Sequence, residues 1–214
     1  MLLTKAAVPP FGKNGFLLGC EVTREAVIID PGDEIEDLIA ASSEQRLTVR
    51  SILLTHAHLD HITGVGRARS AFQAPVYLHE ADLPLYDAVV QQGMMFGLSV
   101  QRQPPVDRFY APGEVIPFGR YEVRVHHTPG HSPGGVCLQI GEAGREALDL
   151  FVGDTLFAGS IGRVDLPGGD YQTLLRSIST VLFAFGDAAR VYPGHGEPTT
   201  IGQERRTNPF LQNL

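Results

Sequence analysis

The chain of 214 residues has no tryptophan and only two cysteines, Cys20 and Cys137. Their separation matches neither a CxxC pair nor a disulfide framework, so both are expected as small buried hydrophobes in a reducing cytosol. No apolar run approaches the roughly 18 residues needed to cross a bilayer, and the N-terminus lacks the apolar core of a secretory signal. Positive charge is also short: 17 Lys and Arg stand against 24 Asp and Glu, for a net charge of −7. Without a basic block no nucleic-acid surface is expected, although a local basic pocket for a small anionic substrate stays open. These absences leave a cytoplasmic globular protein that engages neither membrane nor nucleic acid. At 43% hydrophobic and 19% charged residues, 1–214 reads as a single domain.

Short apolar runs mark strands at 16–22, 26–30, 49–55, 76–79, 115–118, 121–127, 136–140, 147–153 and 190–192. Helical spacing is expected near Ile35, over 65–72, over 80–92 and over 171–185, with an irregular stretch at 93–113. Strands and helices alternate through both halves, which argues for a layered α/β domain.

What the chain does have is a histidine cluster. Of eight histidines, His56, His58 and His61 fall within "THAHLDH", directly after the apolar run Ile52, Leu53 and Leu54. In extended chain, residues two apart share a side, so His56 and His58 can reach one metal ion, while Asp60 and His61 follow a turn and can face a second. His131 in "TPGHS", Asp154 in "FVGDTLF" and His195 in "YPGHG" also sit just after apolar strands, with Asp30 a weaker candidate. Loops at strand ends are where rigid scaffolds present functional groups. Neutral imidazoles and a bridging carboxylate suit divalent ions, zinc first, with iron or manganese as alternatives.

These motifs resemble the metallo-β-lactamase superfamily over nearly the whole chain. The resemblance implies an αββα sandwich with two divalent ions at one edge. His56, His58 and His131 would hold one ion, Asp60, His61 and His195 the other, and Asp154 would bridge them. Asp154 stands where β-lactamases of the family often carry cysteine, which disfavours an antibiotic hydrolase. "FVGDTLFAGSIGR" and "YPGHGEPTTIGQERRTNPFL" look most like glyoxalase II, the hydroxyacylglutathione hydrolases, and in particular its short relatives. The chain reaches only Leu214, so the C-terminal helical domain of the longer members is not expected.

Two metals lower the pKa of a shared water and stabilise a tetrahedral oxyanion, with Asp60 as the catalytic residue that orients the hydroxide. A thioester suits this equipment because a thiolate leaves without strong acid help. No separate serine or cysteine nucleophile of the GxSxG kind is read from the chain. The implied substrate is a small glutathione conjugate such as S-D-lactoylglutathione. Arg163 aligns with a basic glutathione contact, but Asp165 and Glu197 lie near places where tyrosines are used, and Gln212 replaces a carboxylate-gripping arginine. Arg205 or Arg206 could compensate. Tyr86, Met94, Met95 and Phe96 form either a substrate wall, a subunit contact or, by preference, ordinary core. His79 and His126 read as structural, and His127 as a residue that could orient a ligand. The rival reading is a mononuclear-iron persulfide dioxygenase, which shares Gly162, Arg163 and Asp165 and would use His58 (or His56), His131 and Asp154. A lactone hydrolase and a metal-stabilised binding module rank below it, and a homo-oligomer is left open.

Overall fold

The computed structural model describes residues 1–145 and 147–212. The first half runs β1 (Leu2–Ala6), β2 (Gly15–Gly19), β3 (Glu25–Ile29), α1 (Ile35–Glu44), β4 (Thr48–Leu53), α2 (Leu59–Ile62), α3 (Val65–Phe72), β5 (Val76–Leu78), α4 (Leu83–Asp87), α5 (Val89–Met95) and β6 (Arg108–Phe109). The second runs β7 (Val115–Phe118), β8 (Tyr121–His127), β9 (Val136–Glu142), β10 (Asp149–Gly153), β11 (Leu156–Phe157), β12 (Ser160–Ile161), α6 (Tyr171–Ser177), β13 (Arg190–Pro193), β14 (Thr199–Thr200) and α7 (Ile201–Thr207). One six-stranded sheet has the order β1-β2-β3-β4-β5-β6 and the other β14-β13-β10-β9-β8-β7.

Strand periodicity explains the layering, because successive side chains leave opposite faces of a sheet. Leu17, Ile28 and Ile52 point outward onto Leu38 of α1 and Val65 and Ala68 of α3. Their neighbours Phe16, Leu18, Val27, Ile29 and Leu53 point inward onto Phe118, Val123, Leu138, Ile140 and Phe151 of the second sheet. Cys137, Leu150 and Val152 leave that sheet's far face to meet Leu174 of α6, Ile178 and Ile201 of α7. Three apolar layers thus separate four layers of structure, helix, sheet, sheet and helix. Each fully buried Leu, Ile or Phe contributes about 1.5–3 kcal/mol, so the inner layer dominates the docking of the two halves.

The local expectations are partly corrected. The helix expected over 80–92 is broken into a short 3-10 turn at Glu80–Asp82, α4 and α5, with Ala88 between the last two. Likewise 171–185 is helical throughout but changes winding: α6 passes into a π-turn at Ile178–Leu182 and a 3-10 turn at Phe183–Phe185, which Gly186 ends at φ 79°. The irregular stretch holds the end of α5 and the edge strand β6. Strand β1 and helix α7 have no counterpart among the expected elements. Both cysteines are fully buried, as expected.

Candidate metal centre

The functional side chains gather where strands of both sheets end. The first segment leaves β4, His131 lies on the β8–β9 connection, Asp154 directly follows β10, and His195 follows β13. Val136 N donates to Thr55 O at 2.8 Å, which ties the two sheets together beside the histidines. Gly194 N donates to Gly153 O at 2.8 Å, which brings the Asp154 and His195 loops side by side. Two glycines permit the approach. A Cβ on Gly194 would lie 2.2 Å from Asp154 Oδ1, and one on Gly153, at φ 51°, would lie 2.3 Å from Thr55 Oγ1.

Three donor groups result, each with ligand atoms within 4.8 Å of one another: His56, His58 and His131; His56, His61 and Asp154; and Asp60, His61 and His195. His131 Nε2 lies 2.8 Å from His58 Nδ1 and 3.2 Å from His56 Nε2. His131 Nδ1 donates to the Arg163 carbonyl at 2.7 Å. Since a carbonyl only accepts, that bond fixes the tautomer and leaves Nε2 as a lone pair facing the other two imidazoles. Burial first, and the neighbouring imidazoles next, hold His56 well below the usual range, while the same effects bring His58 down to about 3. Both are therefore neutral, the form that binds metal.

The other side of the centre is acidic. His195 Nε2 lies 3.1 Å from Asp60 Oδ2 and 3.5 Å from Asp154 Oδ2. His61 Nε2 lies 3.3 Å from Asp154 Oδ1. Burial opposes a charge on His61, but Asp154, Asp60 and Asp30 outweigh it and raise its pKa to about 10. Burial likewise opposes ionisation of Asp154, and the facing imidazoles overcome it, holding its carboxyl far below the usual range. The pocket favours positive charge at this point. His58 Nε2, His61 Nε2 and Asp154 Oδ1 are buried without a hydrogen-bond partner. Orphaned buried polar atoms are costly in a folded protein, and all three belong to residues of the donor groups. The residues fit divalent ions.

Asp30 joins the cluster as a support rather than a ligand. Its carboxylate accepts from Thr55 N and Thr55 Oγ1, each at 2.6 Å, and from His61 Nδ1 at 3.0 Å. This directs His61 Nε2 toward Asp154 and Asp60. Several supports have no spacing signal in the sequence. Asp82, fully buried, accepts from Ala57 N at 3.0 Å, Ser132 Oγ at 2.8 Å and Gly134 N at 2.5 Å, binding the two ligand loops together. Gln92 accepts from Leu59 N and donates to Ala57 O. Asn14 donates to Pro193 O and Gly196 O, clasping the His195 loop.

Beside the donors lies a cavity of about 200 Å³, lined also by Phe11, Leu59, Gln92, Phe96, Arg163 and Leu166. Arg163 thus reaches the cavity wall, yet its guanidinium is forked onto Asp165 with two bonds of 2.7 Å. Three expected contacts are corrected. Arg205 stacks on Phe183 and pairs with Asp187, Arg206 pairs with Asp187, and neither lines the cavity. Met95 is 68% exposed outside it, whereas Phe96 forms part of its wall. Tyr86 is core, but Met94, Met95 and Phe96 are exposed, against the preference for packing. His127 stacks on His79 with ring centroids 4.1 Å apart and donates to Pro133 O, two residues past His131, rather than to a donor side chain. Glu197 pairs with Lys5.

Contrary to the expectation, Gly130–Gly134 reads GHSPG, a GxSxG string whose second residue is the candidate ligand His131. Ser132 is fully buried and donates its hydroxyl to Asp82, which removes it as a nucleophile.

This architecture recurs in known proteins. Hydroxyacylglutathione hydrolase GloC of Haemophilus influenzae is 40% identical over 192 residues, covering 89% of each chain. The crystal structure of TTHA1623 in a di-iron-bound form is 42% identical, with a TM-score of 0.85 over 97% of this chain and 100% of that one. That of BLEG-1 B3 metallo-beta-lactamase is 38% identical, with a TM-score of 0.89 over 99% and 100%. Residues 8–195 match the profile of the Metallo-beta-lactamase superfamily, a stretch that ends on the last histidine of the cluster, and the chain belongs to that superfamily.

Proposed function

We propose that the chain is a binuclear metal-dependent hydrolase of thioesters, S-D-lactoylglutathione being the first substrate to test. The observation that carries the reading is the second donor group, Asp60, His61 and His195, set beside the all-histidine group and joined to it through His61 and Asp154. His56, His58 and His131 would hold one ion, Asp60, His61 and His195 the other, with Asp154 between. When bound, such ions acidify water and draw charge from a carbonyl oxygen as its carbon becomes tetrahedral. The 40% identity to a hydroxyacylglutathione hydrolase supports the thioester.

The chain's own residues then have defined tasks. Asp60, which lines the cavity 3.1 Å from His195 Nε2, orients the attacking water. His131 keeps its Nε2 lone pair directed inward because Nδ1 is spent on the Arg163 carbonyl. Phe11, Leu59, Phe96 and Leu166 exclude bulk water from the reacting carbonyl. A thiol with a pKa of ~8.5 leaves as thiolate without a dedicated proton donor.

A β-lactam is the second reading, favoured by the 38% identity to BLEG-1 B3 metallo-beta-lactamase and set against Asp154, which stands where a cysteine is expected of such enzymes. Its leaving nitrogen demands a proton that a thiolate does not. Assay of metal-loaded protein on S-D-lactoylglutathione tests the first reading. A kcat/KM of ~10⁴ M⁻¹s⁻¹ or above supports it. Negligible turnover removes S-D-lactoylglutathione as the substrate and points to β-lactam hydrolysis and to oxygen uptake with glutathione persulfide.

A further inference from the structure

The wall of the cavity is apolar where a glutathione carrier would call for cations. Phe11, from the β1–β2 connection, meets Phe96, just after α5, edge-on with centroids 5.9 Å apart and planes at 88°. Leu59 and Leu166 complete the wall. Beyond Phe96 the surface stays apolar: Met94 is 70% exposed, Met95 68% and Leu98 36%. Met94 and Leu98 also line a second groove of about 410 Å³ with Val90 and Val100. A contiguous exposed apolar ridge that begins inside a catalytic cavity marks a binding surface, and methionine is suited to adaptable contacts there.

The cations are committed elsewhere. Apart from imidazoles, Arg163 is the only cationic side chain among the described residues that line the cavity, and Asp165 engages its Nε and Nη2 with two hydrogen bonds. Lys13 is buried against Glu34. Glutathione presents two carboxylates and one ammonium group, so no free pair of cations awaits it.

We propose that this wall selects thioesters by an apolar acyl group laid against Phe11 and Phe96, with the Met94–Leu98 ridge continuing the track, and that the thiol half is accepted without a grip on its carboxylates. The proposal rests on the thioester-hydrolase reading and narrows its substrate class. Burial of a methylene on such a wall is worth up to about fourfold in kcat/KM.

The test uses the metal-loaded full chain with S-acetyl, S-butanoyl and S-hexanoyl glutathione and the same three acyl groups on N-acetylcysteamine. The expected result is a rise of about two- to fourfold per methylene on both thiols, with less than a tenfold preference for glutathione. Phe96→Ala should lower the hexanoyl-to-acetyl ratio at least threefold, and Phe11→Ala serves if that variant does not fold. A flat or falling acyl series, a glutathione preference above tenfold, or an unchanged ratio in the variants overturns the proposal while hydrolysis itself stands. Failure to cleave any of the six thioesters overturns this proposal and the hydrolase reading together.

Discussion

His61 Nε2 and Asp154 Oδ1 face one another across 3.3 Å, and each is buried without a hydrogen-bond partner. Two acceptor atoms held so close need a cation between or beside them. The proton that the facing carboxylates hold on His61, with a pKa raised to about 10, is one; a divalent ion that displaces it is another. Chelated protein reloaded with zinc should carry two ions per chain by elemental analysis and melt at a higher temperature. Ligand at a hundred times its Kd adds about 2.7 kcal/mol. Asp154→Ala should reduce the content to one ion or fewer, and retention of two would remove Asp154 from the centre.

Asp30 adopts φ 50° while it accepts three buried hydrogen bonds. Alanine removes the acceptors and is strained in that backbone region, whereas asparagine tolerates it. Asp30→Ala should cost about 2–4 kcal/mol in denaturant unfolding and Asp30→Asn clearly less. Both should weaken metal binding about 10- to 100-fold through His61. Equal stability of the two variants would contradict the backbone argument.

Gly153 and Gly159 share a left-handed backbone but not their surroundings. A Cβ at Gly153 meets Thr55 Oγ1 at 2.3 Å; one at Gly159 meets nothing within 4 Å. Gly159→Ala should cost only the backbone term of about 1–2 kcal/mol. Gly153→Ala should cost about 1–3 kcal/mol more, from the clash between the sheets. Thermal melts of the pair measure the difference directly.

Ser132 supplies one of three bonds to Asp82. Ser132→Ala should therefore lose less than about tenfold in kcat, since Ala57 N and Gly134 N still engage the carboxylate. A loss of about 10⁴-fold, the scale of a deleted nucleophile, would restore Ser132 as a covalent catalyst.

The Arg163 guanidinium holds the Asp165 carboxyl at about 2, below its ordinary 3.8. A depressed carboxylate favours the folded state above its unfolded pKa and loses that contribution as pH falls through the folded value. Carbon NMR should place the Asp165 titration near 2 in the native chain and return it toward 3.8 in Arg163→Ala. An unshifted titration in the native chain would release Arg163 as a free cation on the cavity wall.

The candidate donors were legible because their spacing is local: His56, His58, Asp60 and His61 fall within six residues that run from just after β4 into α2, and His131, Asp154 and His195 each follow an apolar strand. Strands β7 and β8 and helix α3 were readable to the residue because turn-forming glycines or a left-handed Gln73 bound them. Asp82, Gln92 and Asn14 were not, because a lone polar residue carries no sign of what will be brought to it from elsewhere in the chain. Arg205 and Arg206 misled for the converse reason. Two cations near the motif in sequence face Asp187 instead, once α7 has docked. The exposure of Met94 and Met95 was hidden by composition, since methionine belongs equally to cores and to binding surfaces.

The seam between the sheets also sets an order of events during synthesis. His56, His58 and His61 leave the ribosome long before His131, which lies 73 residues beyond His58, and before His195 near the far end. A nascent first half therefore exposes three imidazoles without His131, Asp154 or His195. No stretch shorter than 56–195 contains both complete donor groups, so full metallation has to wait until both halves have emerged and docked.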